Sequence, residues 1–396
     1  MLKHPLYRRY MLGNSLSLLG LWVHRVGLGW LTWELTGSGF WLGAVAFADL
    51  FPAIVVGPFA GVWADRVDRI RLLRWSQATA AALSLVLFAL VIAGAASIYV
   101  LITIAVCLGV SASIAQPARL ALIPSLVDPV EMSSAVALGS AVFNTARFVG
   151  PMIAGAIIAF WDVSYAFLFN GVTFMVMVGA LLTIPLGLQE IKAATESHIL
   201  QEIAEGFRYT LNHHAIRVIM FFILSVAVLG KPIAELLPGF ADAVFNRGAI
   251  GLALMTQAMG VGALTGGVVL ARLRIVDHLS KVALTGFMTS GVLIGAFGLV
   301  SNFYVGLAVL FFLSMAISVT GICTQSLVQL AVREDMRGRV MSTWGLIFRG
   351  APSLGVLVMG AAADFSSLSS VAQGAGVVCL IAGLYGYAQR SALKPV

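Results

Sequence analysis

The sequence predicts an all-α membrane protein of twelve transmembrane helices, arranged as two pseudo-symmetric six-helix bundles. Three observations carry that prediction. Of 396 residues, 60% are hydrophobic and only 10% charged, a balance far outside that of soluble globular domains. Apolar runs long enough to cross about 30 Å of hydrocarbon recur along the whole chain, in equal sets on either side of one polar stretch. Features of the first set return in the second about two hundred residues later, as a duplicated fold requires.

Taken in order, the apolar runs of the first set fall at 10–33, 41–63, 72–94, 97–117, 133–159 and 164–187. Those of the second fall at 215–236, 249–271, 282–300, 303–329, 340–362 and 370–389. The expected organisation is a first bundle over 1–188, a linker over 189–214 and a second bundle over 215–396. Lys3, Arg8 and Arg9 before the first run imitate a secretory leader, but no small-residue cleavage site follows, so this span is expected to stay in the mature protein. In the linker, Ile199, Ile203, Phe207 and Leu211 recur every four residues, which predicts an amphipathic helix on the membrane surface, or a plain tether between bundles. His213 and His214 close this stretch without a carboxylate or cysteine at metal-ligand spacing, and no metal is expected. Cys107, Cys323 and Cys379 lie singly inside apolar runs and read as small packing residues.

The net charge of +7 is a topology signal. With both termini placed in the cytoplasm, 19 of the 24 basic residues fall in cytoplasmic connections and only Lys231 and Arg247 fall on the other side. That asymmetry predicts an integral protein of the plasma or inner membrane with cytoplasmic ends. No basic amphipathic domain is present to lie on a duplex, so nucleic acid is not an expected partner. The expected partners are the bilayer and a small molecule, with the chain acting as a monomer.

Arg25, Arg147 and Arg349 remain, all deep within spans, where a charge is unfavourable and is usually paired or functional. Counted at about 1.5 Å per residue, Arg25 in the first span and Asp49 in the second lie at the same depth, roughly 12 Å from one end. They form a candidate ion pair, either sensitive to protonation of Asp49 or fixed. Arg147 and Arg349 hold related places in the fifth and eleventh spans and could bind an anionic group or clamp backbone carbonyls. Gln116 and Gln325 complete the candidate cavity set. Lys231 and Glu235, four apart, share a helix face and could satisfy each other. In the fifth span Gly150, Pro151 and Gly155 can bend the helix or let a neighbour approach.

A very short connection, GVWADRVDRIRLLR from Gly61 to Arg74, joins the second and third spans. It resembles the corresponding loop of major facilitator superfamily transporters, G-x-x-x-D-R-x-G-R-[RK], with Asp68 in place of a glycine and Ile70 in place of a basic residue. The stretches QPARLALIPSLVDPVEMSSAVAL (Gln116–Leu138) and VREDMRGRVMS (Val332–Ser342) are similar to the exporter branch of that superfamily, which includes siderophore and macrolide efflux proteins. NTARFVGPMIAG (Asn144–Gly155) resembles part of the Gly-Pro signature of proton-coupled antiporters. The second-half loop, ARLRIVDHLSK, lacks the Asp-Arg pair.

The resemblance implies a secondary transporter working by alternating access, with proton-coupled export of a bulky amphipathic molecule, such as a drug, macrolide or siderophore, and without a bound cofactor. It also implies a cytoplasmic gate formed by Gly61, Asp65, Arg66, Asp68 and Arg69, with Asp65 meeting the N-terminus of the eleventh helix near Val340. A lipid or lysolipid flippase and a non-transporting membrane sensor are the alternatives. An enzyme is not expected, because no HExxH, GxSxG, paired acidic motif or Walker lysine is present.

Overall fold

Inside hydrocarbon each backbone N–H and C=O must be satisfied within its own segment, so long apolar runs are forced into helices. The computed structural model describes residues 3–187, 199–273 and 278–388, with the backbone alone at 61, 62, 64–66, 199, 200, 202, 203 and 273. The described residues form helices joined by short turns, without a strand. The spans are α1 (Pro5–Thr36), α2 (Gly39–Leu50, Pro52–Val55 and Gly57–Arg66), α3 (Arg69–Ile92), α4 (Ile98–Leu122), α5 (Met132–Phe160) and α6 (Ser164–Leu182). After the linker helix Ile199–Asn212 come α7 (His214–Val244), α8 (Gly248–Leu273), α9 (Leu279–Phe297), α10 (Phe303–Ala331), α11 (Arg337–Phe365) and α12 (Leu368–Ala388). Of these, the spans from α3 onward are long and apolar enough to cross a membrane. The polar residues of α1, with Arg25 and His24 among them, and the breaks in α2 set those two apart.

The interruptions have local causes. Pro52 and Pro58 each start a new helical piece of α2, because proline lacks the N–H that continues a helix but fits its first turn. In α7 the hydrogen-bond ladder widens into π-turns at Val226–Gly230 and Phe240–Val244, on either side of Pro232 and Pro238. Pro151 and Pro352 lie inside α5 and α11, both of which run on as single helices.

The chain divides into two compact units, Met1–Thr36 with Ala48–Glu196, and Gly37–Phe47 with Ser197–Val396. In the first, α1 packs against α5 and α6, and Tyr7, Tyr10, Leu73, Leu122 and Leu181 form a buried cluster. Polar residues stitch the interior of this unit: the Ser17 hydroxyl donates to Gln77 at 3.0 Å, and Asn170 donates to the Ser84 hydroxyl at 2.9 Å. Such bonds and small residues hold helices together where lipid removes the hydrophobic drive between them. In the second unit, Gly262 of α8 lies directly against the Phe311 carbonyl of α10.

The first residues of α2 group with the second unit, and the reason lies in α11. A Cβ on Gly43 would stand 2.6 Å from the Val356 carbonyl, and Gly360 lies against the Gly39 carbonyl, so the two backbones touch. The Asp364 carboxylate then accepts from the Gly39 amide at 2.7 Å, the Phe40 amide at 3.3 Å and the Ser38 hydroxyl. A carboxylate at the positive end of a helix satisfies amides that have no partner within it.

Candidate functional site

Two cations inside the first unit, Arg25 and Arg147, meet on one indole. Trp22 and Arg25 are three residues apart on α1 and so share a face. The Arg25 guanidinium lies 5.7 Å from the Trp22 ring centroid and donates to the Asp49 carboxylate of α2 at 3.4 Å. Both members of that pair are part-buried, with side chains 30% and 27% exposed. From α5, the Arg147 guanidinium also lies 5.7 Å from the Trp22 centroid, and Phe143 meets the indole edge-on at 6.1 Å. Gly150 makes this meeting possible. A Cβ there would stand 2.5 Å from the Trp22 Cβ, so α5 reaches α1 at this height only with a bare backbone. One turn earlier on the same face, Arg147 is delivered to the indole.

Next to this cluster, His24 is buried against Phe167, ring centroids 5.2 Å apart, with no hydrogen-bond partner among the described residues at either ring nitrogen. Trp22, Phe143 and His24 are absent from the sequence-based site. The three-residue spacing of Trp22 and Arg25 was a signal for the first, whereas Phe143 and His24 become visible only once α5 and α6 are packed.

The other sequence-based positions distribute as follows. Pro151 and Gly155 are buried within α5, and Gln116 is half-buried on α4. In the second unit Gln325 is half-buried on α10, and Arg349 is exposed on α11. Beside Arg349, the Lys231 ammonium of α7 donates to the Phe348 carbonyl at 2.7 Å and lies 3.0 Å from the Phe348 ring centroid. Phe348 in turn stacks on Trp344 at 4.7 Å. The first unit thus carries two cations on an aromatic side chain where α1 meets α5, and the second carries one where α7 meets α11.

In the α2–α3 connection the side chains of Asp65 and Arg66 and the surroundings of Gly61 lie outside the described residues, so the contact expected near Val340 does too. The rest of the connection is tied down within the first unit. Asp68 caps α3 by accepting from the Arg71 amide at 2.9 Å, and its second oxygen accepts from the Gly187 amide at 2.6 Å. Arg69 donates to the Ala121 carbonyl at 2.8 Å, and Arg74 donates to the carbonyls of Leu181 and Ile184. These arginines satisfy carbonyls at the C-terminal ends of α4 and α6, where a positive charge is favoured. Asp68, which replaces the glycine of the family loop, therefore works as a brace.

The described residues thus form a polytopic helical membrane protein, ten of whose helices are long and apolar enough to cross a bilayer, with cations held on aromatic rings inside the helices. The profile of the family described as "Transmembrane secretion effector" matches residues 1–394. The chain belongs to that family, within the major facilitator superfamily. It is 25% identical over 398 residues to the staphyloferrin A transporter of Staphylococcus aureus, covering 98% of this chain and 97% of the relative. It is 22% identical over 384 residues to the enterobactin exporter of Escherichia coli, covering 96% and 91% respectively. Among solved structures, a peptide transporter in complex with sulfate superposes with a TM-score of 0.76 at 12% identity, over 99% of this chain and 96% of the other. A bacterial homologue of the human lysosomal transporter Spinster does so with a TM-score of 0.71 at 15% identity, over 98% of both chains.

Proposed function

We propose that this membrane transporter is a proton-coupled exporter of a bulky amphipathic small molecule, working by alternating access. Among drugs, macrolides and siderophores, the siderophore class comes first. The observation that supports this reading is end-to-end similarity to two proteins named for carrying staphyloferrin A and enterobactin. The charge distribution of the connections supports an inner-membrane protein with both termini in the cytoplasm.

The part-buried Arg25–Asp49 pair supplies a route for coupling. Protonating Asp49 neutralises the acceptor and frees the Arg25 guanidinium, so the charge this site presents to the substrate changes with the binding of a proton. Gly61, Asp65, Arg66, Asp68 and Arg69 act in this reading as the cytoplasmic gate.

The test is flux through proteoliposomes containing the purified chain, using a panel of siderophores, macrolides and hydrophobic dyes, with and without an imposed pH gradient. Gradient-accelerated movement of one class in the export direction is expected. Movement of none of them, or movement indifferent to the gradient, would overturn the reading.

A further inference from the structure

The cluster around Trp22 brings two cations to one indole. Arg25 and Arg147 both stand over the indole, each 5.7 Å from its centroid, and the Asp49 carboxylate faces Arg25 at 3.4 Å through one guanidinium nitrogen. Arg147 has no ion pair and no hydrogen bond to any described residue. A guanidinium presents five N–H donors in a fixed fork, suited to a two-oxygen acceptor. Holding that fork inside a span on an aromatic face alone is unfavourable, since the ring offsets only part of the lost hydration. The arrangement is also fixed in place: Gly150 lets α5 lie against Trp22, which sets the position from which Arg147 projects. Beside the cations, Phe143 is 42% exposed and offers an apolar wall.

We propose that this cluster is an anion-binding subsite, in which Arg147 takes the carboxylate, or an equivalent two-oxygen anion, of a solute whose flat apolar body lies against Phe143. The inference rests on the transporter reading above and narrows its substrate class to anionic amphiphiles. Arg25, steadied by Asp49, adds a second positive charge at the same indole. A cationic solute is repelled here, so the site discriminates by charge before it discriminates by shape.

The test uses the purified full chain in detergent and two probes of one shape, 2-naphthoate and its neutral counterpart 2-naphthamide, titrated calorimetrically. Wild type is expected to bind the acid at least about ten-fold more tightly than the amide, a difference near 1.4 kcal/mol. Arg8→Gln, at an exposed position away from the cluster, keeps that preference. Arg147→Gln loses it, and Arg147→Lys, which retains the charge but not the fork, keeps only part.

Equal affinity for acid and amide in wild type, or a full preference in Arg147→Gln, overturns the proposal. Should Arg147→Gln fail to fold, Arg147→Lys decides, and an undiminished preference there overturns the role of the fork. A lipid phosphate has the same oxyanion chemistry, so phosphatidylglycerol is titrated in a separate arm. Arg147-dependent binding of that lipid without binding of naphthoate assigns the cluster to headgroups and overturns the solute site. Naphthoate flux in proteoliposomes separates the two readings. Charge preference without flux refutes transport and leaves the site, whereas flux without preference refutes the site and leaves transport.

Discussion

Asp49 and Gly150 each do something no neighbouring residue can replace. Asp49 supplies the carboxylate that faces Arg25, and both side chains are about three-tenths exposed, so the pair is accessible to a proton. Asparagine keeps the shape and one acceptor but cannot carry the charge. An Asp49→Asn protein is therefore expected to reach the membrane folded and to move substrate down its own gradient, while losing acceleration by a pH gradient. Transport by this variant at the wild-type rate along a proton gradient would remove Asp49 from coupling. Gly150 leaves no room for a methyl group next to the Trp22 Cβ. Gly150→Ala must displace α5 from α1, at a cost of about 1–3 kcal/mol for overpacking. A lowered Tm in detergent and weaker naphthoate binding are expected together. An unchanged Tm would mean that the helices separate freely here.

Among the elements, the linker helix Ile199–Asn212 is more than a tether. Phe207 and Leu211 are exposed, as an apolar face turned to lipid requires, while Gly206 and Thr210 are buried on another face. A Cβ on Gly206 would lie 2.6 Å from the Arg339 carbonyl, and Glu205 pairs with the Arg339 guanidinium at 2.7 Å. The helix thus docks on the first turn of α11. Of the two contacts the packing one should dominate. The ion pair is 39% and 55% exposed, and exposed pairs are worth about 0–1 kcal/mol. Gly206→Val has to push backbone from backbone. Hydrogen exchange across 204–212 is expected to rise strongly in Gly206→Val and only slightly in Glu205→Ala, and the reverse order would show that charge holds the linker. Residues 189–198 of the predicted linker lie outside the described structure.

For the whole molecule, the membership of Gly37–Phe47 in the second unit has the largest consequence. If the transporter alternates, the contact of α2 with α11 has to break and re-form. An ideal Cβ on Gly39 would stand 2.9 Å from the Ala363 Cβ, close enough for a bridge after a small adjustment. In a cysteine-free background, Gly39→Cys with Ala363→Cys is expected to form a disulfide under mild oxidation. Flux should stop, and a reductant should restore it. Full flux through the cross-linked protein would show that this contact need not open.

How much of this was legible in the sequence follows from what each level of structure responds to. The number of spans and the places where the chain turns are properties of hydropathy, which one residue after another contributes to independently of what packs against it. The family was legible for the same reason, because its loop motifs are contiguous in the chain. Arg25 and Asp49 could be set at one depth by counting residues, since helical rise is fixed. The sequence could not say that Trp22 carries both arginines, that Gly206 rather than the apolar stripe docks the linker, or that the start of the second span belongs with α11. Those choices depend on which helix faces meet. In lipid, side chains gain little hydrophobic stabilisation from turning inward, so a face is selected by backbone fit at a few glycines and by single polar contacts. Only the folded chain, with its helices in place, decides them.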